Sequence, residues 1–176
     1  VKTFCSLRHA LFRAAASYMR PLAKMPFFGY HRTRWQLLSM EIFVYRPGAD
    51  RVEEGFTVDD LQELLGNKEN VVWVDLLGET PEQIDEARTL LLDTFKFHYL
   101  TVEDCIETRN QPKVEAFPDY IYFIVHGIKP GETGPGKFVT KELDGYLGEN
   151  FLVTFHDQRF RSVKIVKEQI RKSYLA

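Results

Sequence analysis

The feature that most constrains the fold is an abrupt change from helical to extended patterning within residues 99–120, YLTVEDCIETRNQPKVEAFPDY. The first half carries three apolar residues that are predicted to share one face of a helix: Leu100, Val102 and Ile106. Pro112 ends this helix, because the residue before a proline is pushed out of the α region. Residues 113–117 then predict a strand. The chain must therefore combine helices and strands in one unit.

Two adjacent acids, Glu103 and Asp104, lie on the flank of this predicted helix. Carboxylates so close together repel each other, and such a pair is stable where water, a basic neighbour or a hard divalent cation compensates the charge. Oxygen ligands suit Mg²⁺ and Ca²⁺. An ordinary solvent-exposed helix surface is the commoner arrangement for such acids. The pattern alone therefore leaves a metal site and a plain helix surface both open.

The remaining segments extend the mixture of helices and strands. Six segments carry the apolar and β-branched patterning of strands: residues 37–45, 71–77, 113–117, 120–128, 138–147 and 151–156. Strand 120–128 is apolar on both sides, which predicts that both of its faces are covered. Four segments carry helical patterning: residues 57–66, 80–97, 99–111 and those from 160 onward. This order predicts an α/β/α sandwich with a mixed parallel and antiparallel sheet.

Two of the helices have recognisable starts. Thr57 is the predicted cap of the first, which has Gly66 as its stop. Thr80 is followed by Pro81 and Gln83, the pattern of a cap with proline at the first helical position and an acceptor at the third. The helix that begins here is predicted to end near Phe97.

Several residues that suggest chemistry have a simpler structural interpretation. Asp75, inside an apolar strand, is predicted to bond to a helix start or loop. His126 is predicted to be a buried, hydrogen-bonded strand residue. His156 and Asp157 lack a serine on a strand-to-helix elbow or a reactive cysteine, so no catalytic triad is expected.

Residues 131–137, GETGPGK, have the spacing of a phosphate-binding loop. Such a loop needs a Ser or Thr next and a helix after it. Phe138 stands at that position and a predicted strand follows, so this segment is predicted to be a hairpin tip.

The charge is unevenly distributed along the chain. Residues 1–40 contain seven Lys or Arg and no acid, which leaves 16 basic and 25 acidic residues in the rest. An acidic body argues against nucleic acid as the main partner and suits a protein that binds cations.

Cys5 and Cys105 form no CxxC pair, so neither a thiolate metal site nor a disulfide framework is expected. No run approaches the ~18 consecutive apolar residues of a membrane-spanning helix, and the chain as given is expected to be soluble.

Residues 1–36 are predicted to form a basic extension ahead of the main domain at residues 37–176. Apolar residues at helical spacing, with arginines between them, allow an amphipathic helix up to Pro21, and a linker follows. A targeting segment, a membrane-surface helix and a plain extension all remain open for this part.

A signature in two parts and two further motifs, in order along the chain, resemble the cytoplasmic domain of the CorA magnesium transporters. His98-Tyr99-Leu100 with Glu103 and Asp104 resembles that family's H-P-L-x-x-E-D, and residues 110–115, NQPKVE, resemble its Q-R-P-K-V-E. Residues 119–123, DYIYF, and 147–156, LGENFLVTFH, resemble D-Y-L-F-F and L-G-x-N-F-L-V-T-F-H. The chain departs from the family at Tyr99 and at residues 110–111, and neither departure removes the acid pair. The resemblance covers about residues 37–176.

The resemblance implies a non-enzymatic cytoplasmic domain of a homopentameric Mg²⁺ channel in the inner (plasma) membrane, with relatives that also move Co²⁺ or Ni²⁺. It implies that Glu103 and Asp104 bind regulatory Mg²⁺ together with acids from later helices of a neighbouring subunit. Those acids, the membrane helices and the pore signature are expected beyond Ala176, so the site should bind weakly in this chain alone. Two alternatives remain: the same domain of a zinc-transporting branch, and a free-standing α/β binding or enzymatic domain.

Overall fold

The computed structural model describes residues 38–107, 110–130 and 138–172. The predictions for residues 1–36 and for the hairpin tip at 131–137 lie outside these ranges. The described strands are β1 (Ser39–Tyr45), β2 (Val71–Leu77), β3 (Lys113–Ala116), β4 (Tyr120–Pro130), β5 (Phe138–Gly148) and β6 (Phe151–His156). The described helices are a 3₁₀ turn (Val58–Asp60), α1 (Leu61–Gly66), α2 (Pro81–Asp93), α3 (Tyr99–Ile106) and α4 (Arg161–Lys172).

The six strands form one sheet in the order β1-β2-β6-β5-β4-β3. Strands β2 and β6 run parallel, from Val72 opposite Phe151 to Leu77 opposite His156. The other neighbouring pairs are antiparallel, and β4 and β5 pair along their whole length. This sheet confirms the predicted mixture of parallel and antiparallel strands.

Helices pack on both faces of the sheet. On one face, Val74, Tyr146 and Phe155 belong to a buried apolar core that also includes residues of α1, α2 and α3. On the opposite face, the Lys167 Nζ of α4 lies 6.0 Å from the ring centroids of both Phe43 and Trp73. The arrangement confirms the predicted α/β/α sandwich.

Helix α2 begins as the sequence predicts and ends earlier. The Thr80 hydroxyl accepts the Gln83 N–H at 3.3 Å, and the Gln83 side chain accepts the Thr80 N–H at 3.2 Å. The helix ends at Asp93 rather than near Phe97, because Lys96 has a left-handed φ of 59°. This reversal brings the Phe97 ring into the core, where it stacks on Tyr146 at 4.0 Å between centroids.

The first helical segment has the predicted bounds, from the cap at Thr57 to Gly66, and it starts as a 3₁₀ turn. The Asp60 carboxylate accepts the Thr57 N–H at 2.7 Å, so the predicted cap residue does mark its start. The segment ends at Gly66, and the following Asn67 donates its N–H to the Glu63 carbonyl.

Two predictions about apolar faces are wrong. Ile121 and Val125 of β4 are 40% and 44% exposed, so the described residues leave part of its α4-side face uncovered. Leu100 is exposed while Val102 and Ile106 are buried. The reason is that residues two apart on a helix point about 200° apart and do not share a face.

Candidate functional site

The acid pair lies on helix α3. The His98 side chain caps this helix by accepting the Leu100 N–H at 3.3 Å. Val102 and Cys105 are buried against the core, which leaves Glu103 and Asp104 half-buried on the flank. Successive residues on a helix point about 100° apart. The two carboxylates therefore leave α3 in different directions and meet different neighbours.

Glu103 contacts a residue at which the chain departs from the family motif. The Tyr99 hydroxyl donates to Glu103 Oε1 at 3.2 Å, one helical turn away. A proline at this position would supply no hydroxyl. The departure at Tyr99 therefore adds a hydrogen bond to one of the two candidate ligands.

Asp104 already has a cationic partner. The Lys113 Nζ at the start of β3 lies 2.5 Å from Asp104 Oδ2 and 2.9 Å from Glu115 Oε1. It also lies 5.4 Å from the centroid of the Tyr122 ring. The hydrogen bond to Asp104, followed by that to Glu115, raises the pKa of Lys113 despite its partial desolvation. Lys113 is therefore held in its charged form.

Two further acids, Glu142 and Asp144 on β5, lie buried behind this corner. The Tyr122 hydroxyl donates to Asp144 Oδ1 at 2.6 Å. Burial raises the pKa of Asp144 to about 8, and the charges of Glu142 and Asp104 add to the effect against that hydrogen bond. Asp144 is therefore largely protonated at neutral pH. Neither acid was predicted from the sequence as part of the site, although their i, i+2 spacing on a predicted strand places them on one face.

The segment after α3 is fastened to β5 through Asn110, another departure from the family motif. The Asn110 N–H donates to Glu142 Oε2 at 2.8 Å, and its side-chain amide donates to the Asp104 carbonyl at 2.7 Å. His126 is half-buried, with its Nε2 2.9 Å from the Asn110 carbonyl oxygen, in line with the hydrogen-bonded role predicted for it. Within residues 38–107, 110–130 and 138–172, no group of three or more His, Cys, Asp or Glu side chains is arranged to hold a metal ion.

A second polar centre lies on the opposite face of the sheet, around Asp75 of β2. Thr154 donates to Asp75 Oδ1 at 2.5 Å, while His156 Nε2 and Lys167 Nζ lie 3.2 Å and 2.5 Å from Oδ2. Burial alone would raise the pKa of Asp75, but these partners, His156 first, lower it below its usual value. Asp75 was predicted to bond to a helix start or loop, and this was wrong. Parallel pairing places it beside Thr154, and α4 brings Lys167 over it.

His156 joins this centre with both of its ring nitrogens. Its Nδ1 lies 2.8 Å from the Gln158 carbonyl oxygen, while Nε2 faces Asp75. The ring therefore lies between a backbone carbonyl and the Asp75 carboxylate. Lys167 also pairs with Glu41, and the Arg171 guanidinium lies 2.6 Å from Glu41. This network joins α4 to the sheet.

Residues 68–175 match the family described as CorA-like Mg2+ transporter protein. The match covers more than half of the chain, which therefore belongs to this family, and the resemblance found in the sequence is confirmed. The family is one of transporters and not of enzymes. In the part of the chain that the structure describes, none of the helices is both long enough and apolar enough to cross a bilayer.

A relative from Bacillus subtilis (strain 168), YfjQ, is by its name a candidate metal ion transporter. It is 36% identical over 101 residues, which are 57% of this chain and 29% of YfjQ. The chain thus spans less than a third of that relative.

Three solved structures share the fold at low sequence identity. The full-length CmaX protein has a TM-score of 0.59 at 13% identity, over 76% of this chain and 39% of CmaX. The soluble domain of CorA from Methanocaldococcus jannaschii has a TM-score of 0.53 at 15% identity, over 77% of this chain and 47% of that domain. The ZntB cytoplasmic domain from Vibrio parahaemolyticus has a TM-score of 0.52 at 10% identity, over 77% of this chain and 51% of that domain.

Proposed function

We propose that this chain is the cytoplasmic regulatory domain of a divalent cation transporter that carries Mg²⁺, and Co²⁺ as a second cargo. Glu103 and Asp104 bind regulatory Mg²⁺ in this proposal. The observation that carries it is that the acid pair belongs to the segment matched by the family and lies on the accessible flank of α3. Carboxylate oxygens are the ligands that Mg²⁺ prefers, and it commonly uses one or two of them while keeping several waters.

The mechanism follows from charge. When Mg²⁺ is bound, it bridges acidic surfaces of adjacent subunits and favours the closed pore. When Mg²⁺ leaves, like charges face one another, and the subunit ring loosens toward the open state. Acids from the neighbouring subunit complete the site, so binding to this chain alone is weak.

The proposed setting is a homopentamer in the inner (plasma) membrane, with this domain on the cytoplasmic side. Membrane helices elsewhere in the full protein form the pore. Nucleic acid is not a partner in this proposal, because the 16 basic and 25 acidic residues after residue 40 would repel a phosphate backbone.

A zinc-transporting role is the second candidate. The likeness to the ZntB cytoplasmic domain supports it to the same degree as the likeness to the CorA soluble domain supports magnesium. Both are likenesses of fold. Parallel titrations with Mg²⁺ and Zn²⁺ distinguish the two, because a Mg²⁺ regulatory site should respond to Mg²⁺ in the absence of Zn²⁺.

The test is a calorimetric titration of Mg²⁺ into the wild-type chain and into the double variant Glu103→Gln/Asp104→Asn, with the oligomeric mass followed by light scattering. We expect weak binding in the millimolar range that the double variant loses. The matched control is Glu82→Gln/Asp85→Asn, which removes two exposed carboxylates from α2 and should bind as the wild type does. Absence of binding at millimolar Mg²⁺, or binding that the Glu103/Asp104 variant retains, would remove the sensing role.

A further inference from the structure

The Lys113 ammonium occupies a position suited to a cation. It lies between the Asp104 carboxylate of α3 and the Glu115 carboxylate of β3, at 2.5 Å and 2.9 Å, and above the Tyr122 ring at 5.4 Å. Two carboxylates and an aromatic face are the groups that stabilise a positive charge most directly. One of the two candidate metal ligands is therefore already engaged by a charge that belongs to the chain itself.

Strand register brings Lys113 to this position. Lys113 pairs with Ile124 and Glu115 with Tyr122 across β3 and β4. Residues paired across two strands project to the same face, so Lys113 and Glu115 both lie on the side of the sheet that carries α3. The lysine is fixed at its backbone, while its side chain is 30% exposed and has four flexible carbons.

We propose that Lys113 is a tethered competitor for the divalent cation at Glu103 and Asp104. The ammonium neutralises Asp104 in the metal-free state, and Mg²⁺ binds only when the lysine side chain swings out to solvent. This inference rests on the proposed function, because it concerns the regulation of the same site. Mg²⁺ uses few protein carboxylates, so an ammonium on Asp104 blocks a large share of the available ligands.

The competition has two consequences. It weakens the site, so that the domain responds to a high Mg²⁺ concentration rather than to traces. It also limits the repulsion in the empty state, because Lys113 neutralises the charge that Asp104 exerts on the buried Asp144.

The experiment compares Mg²⁺ affinity between the wild-type chain and Lys113→Met, which removes the charge and keeps most of the side-chain stem. The buffer has low ionic strength, because salt screens charges near the surface. We expect Lys113→Met to bind Mg²⁺ about tenfold more tightly, since a unit charge close to the metal is removed. Lys113→Gln is a second neutral variant, used if the methionine variant folds poorly, with the same gain expected.

Two controls separate competition from a general effect of charge. Lys113→Arg keeps the charge and should show no gain. Lys164→Met removes a charge from α4, where the side chain is 77% exposed, and should also bind as the wild type does. A gain in Lys164→Met equal to that in Lys113→Met would overturn the proposal.

The remaining outcomes distinguish this inference from the proposed function. Equal affinity in the wild type and Lys113→Met, with binding lost in Glu103→Gln/Asp104→Asn, refutes the competition and leaves the regulatory site standing. A gain that persists when both acids are replaced puts the metal elsewhere and refutes both ideas. If neither the wild type nor Lys113→Met binds Mg²⁺, the proposed site fails and the competition fails with it.

Discussion

Replacing Asp75 with alanine should destabilise the domain more than any change at an exposed ion pair. Asp75 is 2% exposed and accepts bonds from Thr154, His156 and Lys167. Its removal leaves the buried His156 ring and the Lys167 ammonium without the carboxylate that both contact, and Glu41 remains as the other acid paired with Lys167. Breaking a buried ion pair from one side costs about 3–5 kcal/mol, against a total stability of about 5–15 kcal/mol for a typical domain. The variant should therefore lose a large share of its stability.

Urea unfolding followed by tryptophan fluorescence and far-UV circular dichroism measures this loss. Trp73 lies within the network, because its Nε1 donates to Thr154 at 3.0 Å. The matched control is Glu79→Ala, which removes the carboxylate of an ion pair with Arg159 in which the side chains are 41% and 78% exposed. Exposed pairs contribute little to stability, because water screens the two charges. An Asp75→Ala loss no larger than that of the control would refute the argument.

The stability that Asp75 contributes should also depend on pH and on its partner Lys167, and both dependences can be measured. The pKa of Asp75 is lowered by its cationic partners, so its contribution is present at neutral pH and is lost as the pH falls below the usual aspartate value of 3.8. The difference between wild type and Asp75→Ala should shrink in acid. The double variant Asp75→Leu/Lys167→Met should recover part of the lost stability, because replacing both partners by apolar groups is often close to neutral.

Two further predictions concern stability. Asp144→Asn should make the free energy of unfolding depend less on pH. In the folded wild type the Asp144 carboxyl keeps its proton up to about pH 8, while in the unfolded chain it loses the proton near pH 4. Wild-type stability should therefore fall as the pH rises between these values, by up to about 1.4 kcal/mol per pH unit. Urea midpoints at pH 5 to 8 test this, and equal slopes in both proteins would contradict it. Thr80→Ala should cost about 1 kcal/mol through loss of the cap on α2. Thermal unfolding measures this loss, with Thr89→Ala as the control. The Thr89 hydroxyl donates to the Asp85 carbonyl within the helix, and its removal should cost less stability. Equal losses in the two variants would contradict the capping argument.

Local signals allowed much of the fold to be predicted. The bounds of β6 and the start of α2 follow from turn and cap residues within a few positions, and the structure agrees with both. The early end of α2 could not be predicted, because Lys96 adopts a left-handed conformation without the glycine that usually marks it. What holds Lys96 there is Phe97, whose ring packs in a core built from strands much later in the chain.

The candidate site could be predicted only as two acids. Their neighbours come from other elements: Lys113 from β3, and Glu142 and Asp144 from β5. Which of these would approach Asp104 depends on strand order and register, and alternation along a strand fixes the face of a residue but not its partner. For the same reason the partners of Asp75 could not be predicted, because its contact with Lys167 depends on where α4 crosses the sheet.

The position of β6 in the sheet has a consequence for how the chain folds. Strands β3 to β6 follow one another and pair through nearby segments, whereas β2 meets β6 only after a loop closure of 79 residues, the separation of Asp75 and Thr154. Closing a long loop lowers the entropy of the chain before the contacts that offset this loss can form, and it therefore slows folding. The β3–β6 portion should therefore assemble first, with β1 and β2 adding later along the exposed edge of β6. That edge is an unpaired strand until they arrive, so the interval before they pair is when the chain is most open to pairing with another copy.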